Sequence, residues 1–414
     1  MKTVDLVVIG AGAAGLATAI YAARSAPGLR IACVDGARRV GAKILVSGGS
    51  RCNVTNRVVT ERDFWGGSSR VVRNVLRAYS APKAAEFFAG LGVALHEEED
   101  GKLFPDTNSS RTVLDALLAE LARAGVALHA GMRVTAVTRE GDAFVVTTAE
   151  GEAWSSRGVV LATGGRSLPK TGSDGFGYEL ARGLGHGCVE TTPALAPLIL
   201  GHGPHAALAG VTQPAELTVR AQGTRTVLEG SLLWTHFGAS GPVVLNASRH
   251  WHRARLDGHE VSVTLNLCPG ESFDTVDRWV QARALERPRA RVRTSLATRL
   301  PAAVANAWAQ GAGVEEMPLG HLSREARRTL VHALVESPLD VRDSRGYTFA
   351  EVTAGGIPLE EIDGASMESR VCPGLYLVGE ILDVDGRLGG FNFQWAWSSA
   401  WVAAQGITRA LRPG

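Results

Sequence analysis

Three glycines, Gly10, Gly12 and Gly15, stand at GxGxxG spacing, and an acid, Asp35, follows twenty residues after the last of them. That pattern suits a dinucleotide. Gly10 permits a tight turn, Gly12 leaves space for a pyrophosphate to approach the backbone, and Gly15 lets a helix pack closely on a strand. Ala13 and Ala14 complete "GAGAAG" at an expected helix N-terminus, where free N–H groups and a partial positive charge suit phosphate. Asp35, followed by Gly36, can accept hydrogen bonds from a ribose diol and would repel a 2′-phosphate, so FAD or NAD is expected ahead of NADP.

A second run, "KILVSGGSRCNVTN" at 43–56, is too polar for a core strand and too rich in special residues for a plain linker. A nicotinamide-binding Rossmann domain usually reaches its next crossover within a few residues. Here about twenty residues of polar, glycine-containing loop follow the ribose-binding acid. Such a loop would pass over the rest of the cofactor. Gly48 and Gly49 allow close backbone approach, Lys43 and Arg51 bring charge for phosphate or an anionic reduced flavin, and Ser47, Asn53 and Asn56 offer hydrogen bonds. Ile44, Cys52 and Thr55 are expected at the same surface, Cys52 as a packing residue with no partner thiol nearby.

The elements that must position these residues follow from pattern. "VDLVVI", 4–9, reads as a buried parallel strand, the alanine-rich run after Gly15 as a helix, and "RIACVD" as the next strand. Residues 70–90 are expected to be one helix. Residues 109–124 should form another, capped by Ser109 or Ser110, with a stripe of Leu114, Leu117, Leu118 and Leu121. "VALHAGMRVTAVTREGDAFVVTTAEG" alternates like strands around a Gly-Asp turn, and "GVVLATGG", 158–165, is a strand running into a glycine turn. From 190 to about 350 the pattern changes. "AELTVRAQG" and "HEVSVTLNL" alternate with period two, and 273–338 turns helical and arginine-rich. Arg283, Arg287, Arg289, Arg291 and Arg293 could contact RNA or an NADP phosphate. A solvated helix face is the better reading, because no interleaved aromatics accompany them.

Length and composition bound the rest. The chain has 414 residues, enough for two or three domains, with 45% hydrophobic and 20% charged residues. A net charge of +2 demands neither nucleic acid nor an anionic membrane. Five widely spaced cysteines form no CxxC and no metal-like cluster, which points to free thiols in a reducing compartment and no metal. The apolar N-terminus is interrupted by Asp5 and glycines, unlike a signal peptide, and no apolar run reaches 18 residues, so a cytoplasmic protein is expected.

"VVIGAGAAGL", "GAKILVSGGSRCNVTN" and the tail "GLYLVGEILDVDGRLGGFNFQWAWSSAWVAA" together resemble the BaiN/YhiN-type FAD-binding flavoproteins. The resemblance covers nearly the whole chain. It implies an α/β fold, with an FAD-binding Rossmann-like domain of the glutathione-reductase type drawn from both chain ends. A β-barrel-like domain and a small helical domain would be inserted. On this reading 1–190 and 356–414 form the FAD domain, 191–270 and 339–355 the β-rich insert, and 271–338 the helical part. The resemblance also implies adenine contact at the Val134 backbone and closure over the cofactor by Ala162, Thr163, Gly164 and Gly165. At the tail it implies further contacts from Gly379, Glu380, Gly389, Gly390, Phe391 and Asn392. The family's first acid is commonly glutamate where Asp35 stands, and its loop often has a third glycine where Ser50 stands.

The implied activity is that of an FAD-dependent oxidoreductase for a small organic substrate, reduced by NAD(P)H without a dedicated nicotinamide domain. Two alternatives stay open: an oxygen-using amine or amino-ketone oxidase, and an FAD-binding module with an RNA or protein partner. His236, in "WTHFGASGP", is the one candidate catalytic side chain.

Overall fold

The computed structural model describes residues 1–411. They fall into two compact units, Met1–Pro193 with Glu351 onward, and Ala194–Ala350.

The first unit is built on a seven-stranded sheet in the order Ile362–Asp363, Glu368–Ser369, Leu375–Leu377, Gly158–Leu161, Leu6–Ile9, Ile31–Asp35, Ala127–Ala130. Its last five strands run parallel. Leu161 lies between Leu377 and Ile9, and Ile9 pairs on to Val34. Strands 6–9, 158–161 and 375–377 are buried at every position, which is why they are unbroken apolar runs rather than alternating ones. The tail strand thus completes a sheet begun at the N-terminus. Helix Ala13–Ser25 packs on the last helix, Phe391–Leu411, through alanines that allow close approach. A smaller four-stranded sheet contains the expected hairpin, Val134–Glu140 and Ala143–Thr148, turning at Gly141–Asp142.

Local details differ from the sequence pattern in three places. The region 70–90 is two helices, Ser69–Ala78 and Ala81–Gly90. Pro82 sits in the first turn of the second, where its missing N–H is harmless. A continuous helix would instead set its ring against the carbonyl four residues back. Helix Ser110–Arg123 buries Leu114, Leu117 and Leu121 and only half-buries Leu118. Ser109 takes the cap position without a capping hydrogen bond, while the Ser110 hydroxyl donates to the Leu45 carbonyl at 2.8 Å, tying the helix to the 43–56 segment instead. That segment is not all loop, for Ala42 begins a helical turn that breaks at Ser47.

The second unit carries an antiparallel seven-stranded sheet ordered Ser337–Leu339, Val261–Asn266, Thr212–Ala221, Thr224–Thr235, Gly238–Ser240, Leu198–Leu200, Val341–Ser344. Its two edge strands are separated in sequence by Asp340 alone. The chain therefore passes from one edge of the sheet to the other at that residue. Helices Phe273–Glu286, Val292–Leu296, Ala302–Gly311 and Arg324–Val335 share a second hydrophobic core with this sheet, centred on residues such as Leu232, Trp234, Val304 and Leu330. In the arginine run, Arg283 pairs with Glu286, and Arg291 and Arg293 share Glu316.

Candidate functional site

The GxGxxG turn has the packing its spacing demands. A Cβ on Gly15 would stand 1.8 Å from the Gly10 carbonyl oxygen, and one on Gly10, at φ +104°, would stand 2.4 Å from that of Ala162. A Cβ on Gly12 would meet nothing within 4 Å. Gly12 is also the N-cap of the first helix and makes no side-chain cap bond, so the helix end faces open space with its first-turn N–H groups unsatisfied by a cap. Asp35 accepts from the Ala11 N–H at 2.6 Å and the Ala37 N–H at 2.7 Å, one on each oxygen, and each oxygen keeps a lone pair for a diol. Gly36 lies against Arg133, next to Val134, and the Met132 N–H donates to the Asp35 carbonyl. Ala162 lies on Gly10, as its carbonyl contact requires. Thr163 packs on Gly177 and leaves its buried hydroxyl without a partner among the described residues. An open glycine face, an uncapped helix end and an adjacent carboxylate fit the pyrophosphate and ribose of FAD.

The 43–56 segment is fastened from the other end of the chain. Gly48, Gly49, Ser50 and Cys52 all take left-handed φ, between +54° and +67°. For Ser50 and Cys52 that costs on the order of 1–3 kcal/mol each, so the surroundings must impose it. They do so through the last helix. The Thr55 hydroxyl donates to Gln394 Oε1 at 2.6 Å across 339 residues of sequence, Asn56 Nδ2 donates to the Gly389 carbonyl at 3.1 Å, and Trp397 Nε1 donates to the Val54 carbonyl at 2.9 Å. The Asn53 amide, with its nitrogen toward the Thr55 and Leu103 carbonyls, accepts from the Gly390 N–H at 3.1 Å. A Cβ on Gly390, at φ +91°, would stand 2.5 Å from the Thr55 carbonyl, so only glycine fits this joint.

A polar node joins three more segments. Ser167 Oγ donates to Glu380 Oε1 at 2.7 Å, the Thr353 N–H donates to the same oxygen at 3.0 Å, and Lys43 Nζ bonds both Ser167 Oγ and Glu380 Oε2. Gly379 then lies on Ala14, where its Cβ would be 2.8 Å from the alanine methyl. A Cβ on Gly165 would strike Thr353 Oγ1 at 2.4 Å and Glu380 Oε1 at 2.8 Å. Gly164, at φ +73°, is packed on Ser173. These contacts bring the turn, the 162–165 segment and the tail into one cradle.

Several side chains face differently from the sequence reading. The charges of Lys43 and Arg51 are both compensated inside the protein, Lys43 by Glu380 and Arg51 by Glu98 at 2.5 Å with its guanidinium over Phe104. The Arg51 hydrogen bonds hold the Glu98 carboxyl below its usual range. Asn392 closes on Gly386, accepting from its N–H and donating to its carbonyl. Ser47 donates to the Ile44 carbonyl within its own turn, and Ile44 is buried beneath it. Phe391 is buried edge-on to Phe64. Cys52 is fully buried, and burial pushes its thiol up to about 12 against the Ser47 hydroxyl, so it is not a nucleophile at neutral pH. His236 is on an exposed turn of the second unit.

Sequence reasoning missed Ser167, Thr353, Gln394 and Ser398. Gln394 and Ser398 carried a signal, being polar within the apolar run "FNFQWAWSSAW". Both donate to the Tyr79 carbonyl, freed where the helix breaks before Pro82. Ser167 and Thr353 carried none.

The family model for the HI0933-like protein Rossmann domain matches residues 4–406. A ribosomal RNA dihydrouridine synthase of Escherichia coli K12 is 33% identical, covering 99% of each chain. A 3-dehydro-bile acid delta(4,6)-reductase of Clostridium scindens is 32% identical over 98% of this chain and 99% of its own. Among solved structures, the 3-ketosteroid delta1-dehydrogenase of Sterolibacterium denitrificans matches with a TM-score of 0.51 at 14% identity, covering 99% of this chain and 100% of that one, a likeness of fold.

Proposed function

The chain belongs to the HI0933-like Rossmann family of FAD-dependent oxidoreductases, and from that premise we propose that it reduces a carbon–carbon double bond conjugated with a carbonyl. The observation that carries this reading is a pair of full-length relatives whose names differ in substrate and agree in chemistry. Dihydrouridine is uridine with its ring double bond saturated, and a delta(4,6)-reductase saturates double bonds conjugated with a 3-keto group. Each reaction adds two hydrogens across C=C and needs a two-electron donor, for which NAD(P)H is the natural class.

FAD, when bound, supplies the two-electron transfer. The chain's own residues supply placement and charge. Gly12 and the first helix end receive the pyrophosphate, and Asp35 receives the ribose. The last helix begins at Phe391, and the partial positive charge of its N-terminus favours a cofactor carrying extra negative charge. The Lys43–Ser167–Glu380 node holds Gly379 on Ala14 and leaves no uncompensated charge at that joint.

Anaerobic stopped-flow tests the reading. NADPH or NADH should bleach the bound flavin within seconds, and a conjugated cyclic enone, not an amine, should govern turnover, its product two mass units heavier. Flavin reduction by an amine and inertness toward NAD(P)H would instead support the oxidase.

A second reading has its own support in the E. coli relative, namely that the double bond is that of a uracil base in ribosomal RNA rather than of a free small molecule. Loss of dihydrouridine from ribosomal RNA of cells lacking this gene would favour it. Among the described residues no helix is long and apolar enough to cross a membrane. Five free cysteines support a reducing, cytoplasmic setting.

A further inference from the structure

Arg345, in the second unit, makes no polar contact through its side chain among the described residues. It follows the strand Val341–Ser344. Its guanidinium carbon lies 3.5 Å from the centroid of the Phe349 ring and 4.7 Å from that of Phe237, so the planar group packs against both aromatic rings. Its backbone is pinned on both sides. The Arg345 N–H donates to the Pro197 carbonyl at 2.9 Å, and the next N–H, of Gly346, donates to Ser344 Oγ at 3.0 Å. That hydroxyl also bonds His252 Nε2 at 2.7 Å. The nearby acids are otherwise engaged, Asp340 by Arg342 and Asp343 by the Ser344 N–H. The half-buried Arg345 side chain therefore keeps its N–H donors free among the described residues.

His236 also packs on Phe237. It is exposed on the turn between strands Thr224–Thr235 and Gly238–Ser240, with its ring edge-on to Phe237 at 5.1 Å and 86°. Its imidazole has no hydrogen-bond partner among the described residues. Phe349 is 44% exposed, unusual for so large an apolar ring. Two faces clamp a guanidinium, and stacking leaves the in-plane edge, where the N–H fork lies, clear. An arginine whose rotamer is already fixed loses little freedom on binding. A planar fork with unused donors matches the two oxygens of a carboxylate or phosphate.

We propose that Arg345, clamped between Phe237 and Phe349, is the recognition site for an oxyanion carried by the substrate, with His236 at its rim as a second donor. The choice of anions rests on the function proposed above: a phosphate if the reducible ring sits in RNA, a carboxylate if it belongs to a steroid acid. Both meet the same fork.

Binding to the full-length holoenzyme separates these cases without turnover. Calorimetry would compare uridine 5′-monophosphate with uridine, and deoxycholate with its uncharged methyl ester. One anion should bind at least tenfold more tightly than its neutral partner, the phosphate pair marking a nucleotide and the carboxylate pair a steroid acid. Arg345→Gln should erase that preference with FAD content unchanged. Phe349→Ala keeps the charge and loosens the clamp, and should reduce the preference threefold or more. Equal affinity within both pairs for the native protein overturns the proposal, as does a preference that survives Arg345→Gln. Should Arg345→Gln lose flavin, Phe349→Ala decides, and an undiminished preference there overturns the clamp. An anion preference without enone reduction would contradict the proposed reaction and leave this site standing. Enone reduction without anion preference would do the reverse.

Discussion

The two units use their polar side chains in opposite ways. In the first, Thr55 bonds Gln394, Asn56 bonds the Gly389 carbonyl and Ser167 bonds Glu380 across hundreds of residues, and the open surface is backbone at Gly12 and the uncapped helix end. In the second, Arg345 and His236 are held by aromatic rings with their donors unused. A cradle for a large cofactor needs a rigid backbone surface, so its side chains serve as fasteners. A surface that selects a substrate needs side chains left free. That contrast can be broken or sharpened at specific positions.

The largest effect is expected at the glycines. Gly15→Ala places a methyl 1.8 Å from the Gly10 carbonyl oxygen and should yield little soluble flavoprotein. Gly12→Ala meets no atom within 4 Å, so the flavin-free protein should melt as the native one does while FAD affinity falls tenfold or more. Equal damage to folding from both would break the distinction between packing glycine and cofactor glycine.

Next comes the fastener. Gln394→Leu removes the partner of Thr55 and two donors, to Tyr79 and Ser398, in a fully buried place. A loss of about 2–4 kcal/mol in denaturant unfolding is expected, with weaker FAD retention. A Phe349→Ala change in the other unit should cost far less stability, because that ring is half-exposed.

Acid should separate the units by a smaller margin. His250 and His252 are both lowered to about 4, chiefly by burial, with Arg249 adding to the first and Arg255 to the second while Asp343 opposes. Both stay neutral when folded, whereas the unfolded chain takes up their protons below about 6.5. The second unit should therefore be at full stability above that pH and lose it progressively down to about pH 4. Hydrogen exchange at pH 7 and pH 5 would check this, and first-unit amides losing protection ahead of second-unit amides would contradict it.

The smallest effect is expected at Cys52. Cys52→Ser should keep FAD and at least about a tenth of turnover, within 1.4 kcal/mol of barrier. The native thiol, pushed up to about 12, should resist iodoacetamide at pH 8. Loss of turnover with flavin still bound would give the thiol a chemical role.

What could be read from sequence was local. The strand–glycine–helix–acid unit is fixed by residues within a short span, and its contacts are made among those same residues. "SGGSRCNVTN" was legible as unusual, because glycines and asparagines mark a strained backbone, and Ser50 adopts the φ of +67° that a third glycine would take without strain. What fastens it was not legible, since Gln394 gives no sign that its partners are Thr55 and Tyr79. The break at Tyr79 was available in Pro82 and was outweighed by the helical periodicity around it. The sheet order that puts the strands on either side of Asp340 at opposite edges depends on which strands pair, and alternation alone does not carry that.

The central claim is that the FAD cradle is one structure made from both chain ends. Strands Val189–Ala194 and Val352–Gly356 pair with each other, so the chain leaves and re-enters the first unit along neighbouring strands. FAD binding should therefore be measured for two shortened chains, one ending at Pro193 and one joining Pro193 to Glu351 through a short linker. The joined chain should bind one FAD without turnover, and the chain ending at Pro193 should be poorly soluble or flavin-free. A soluble 1–193 chain that binds FAD as tightly as the whole protein would contradict the two-ended cradle.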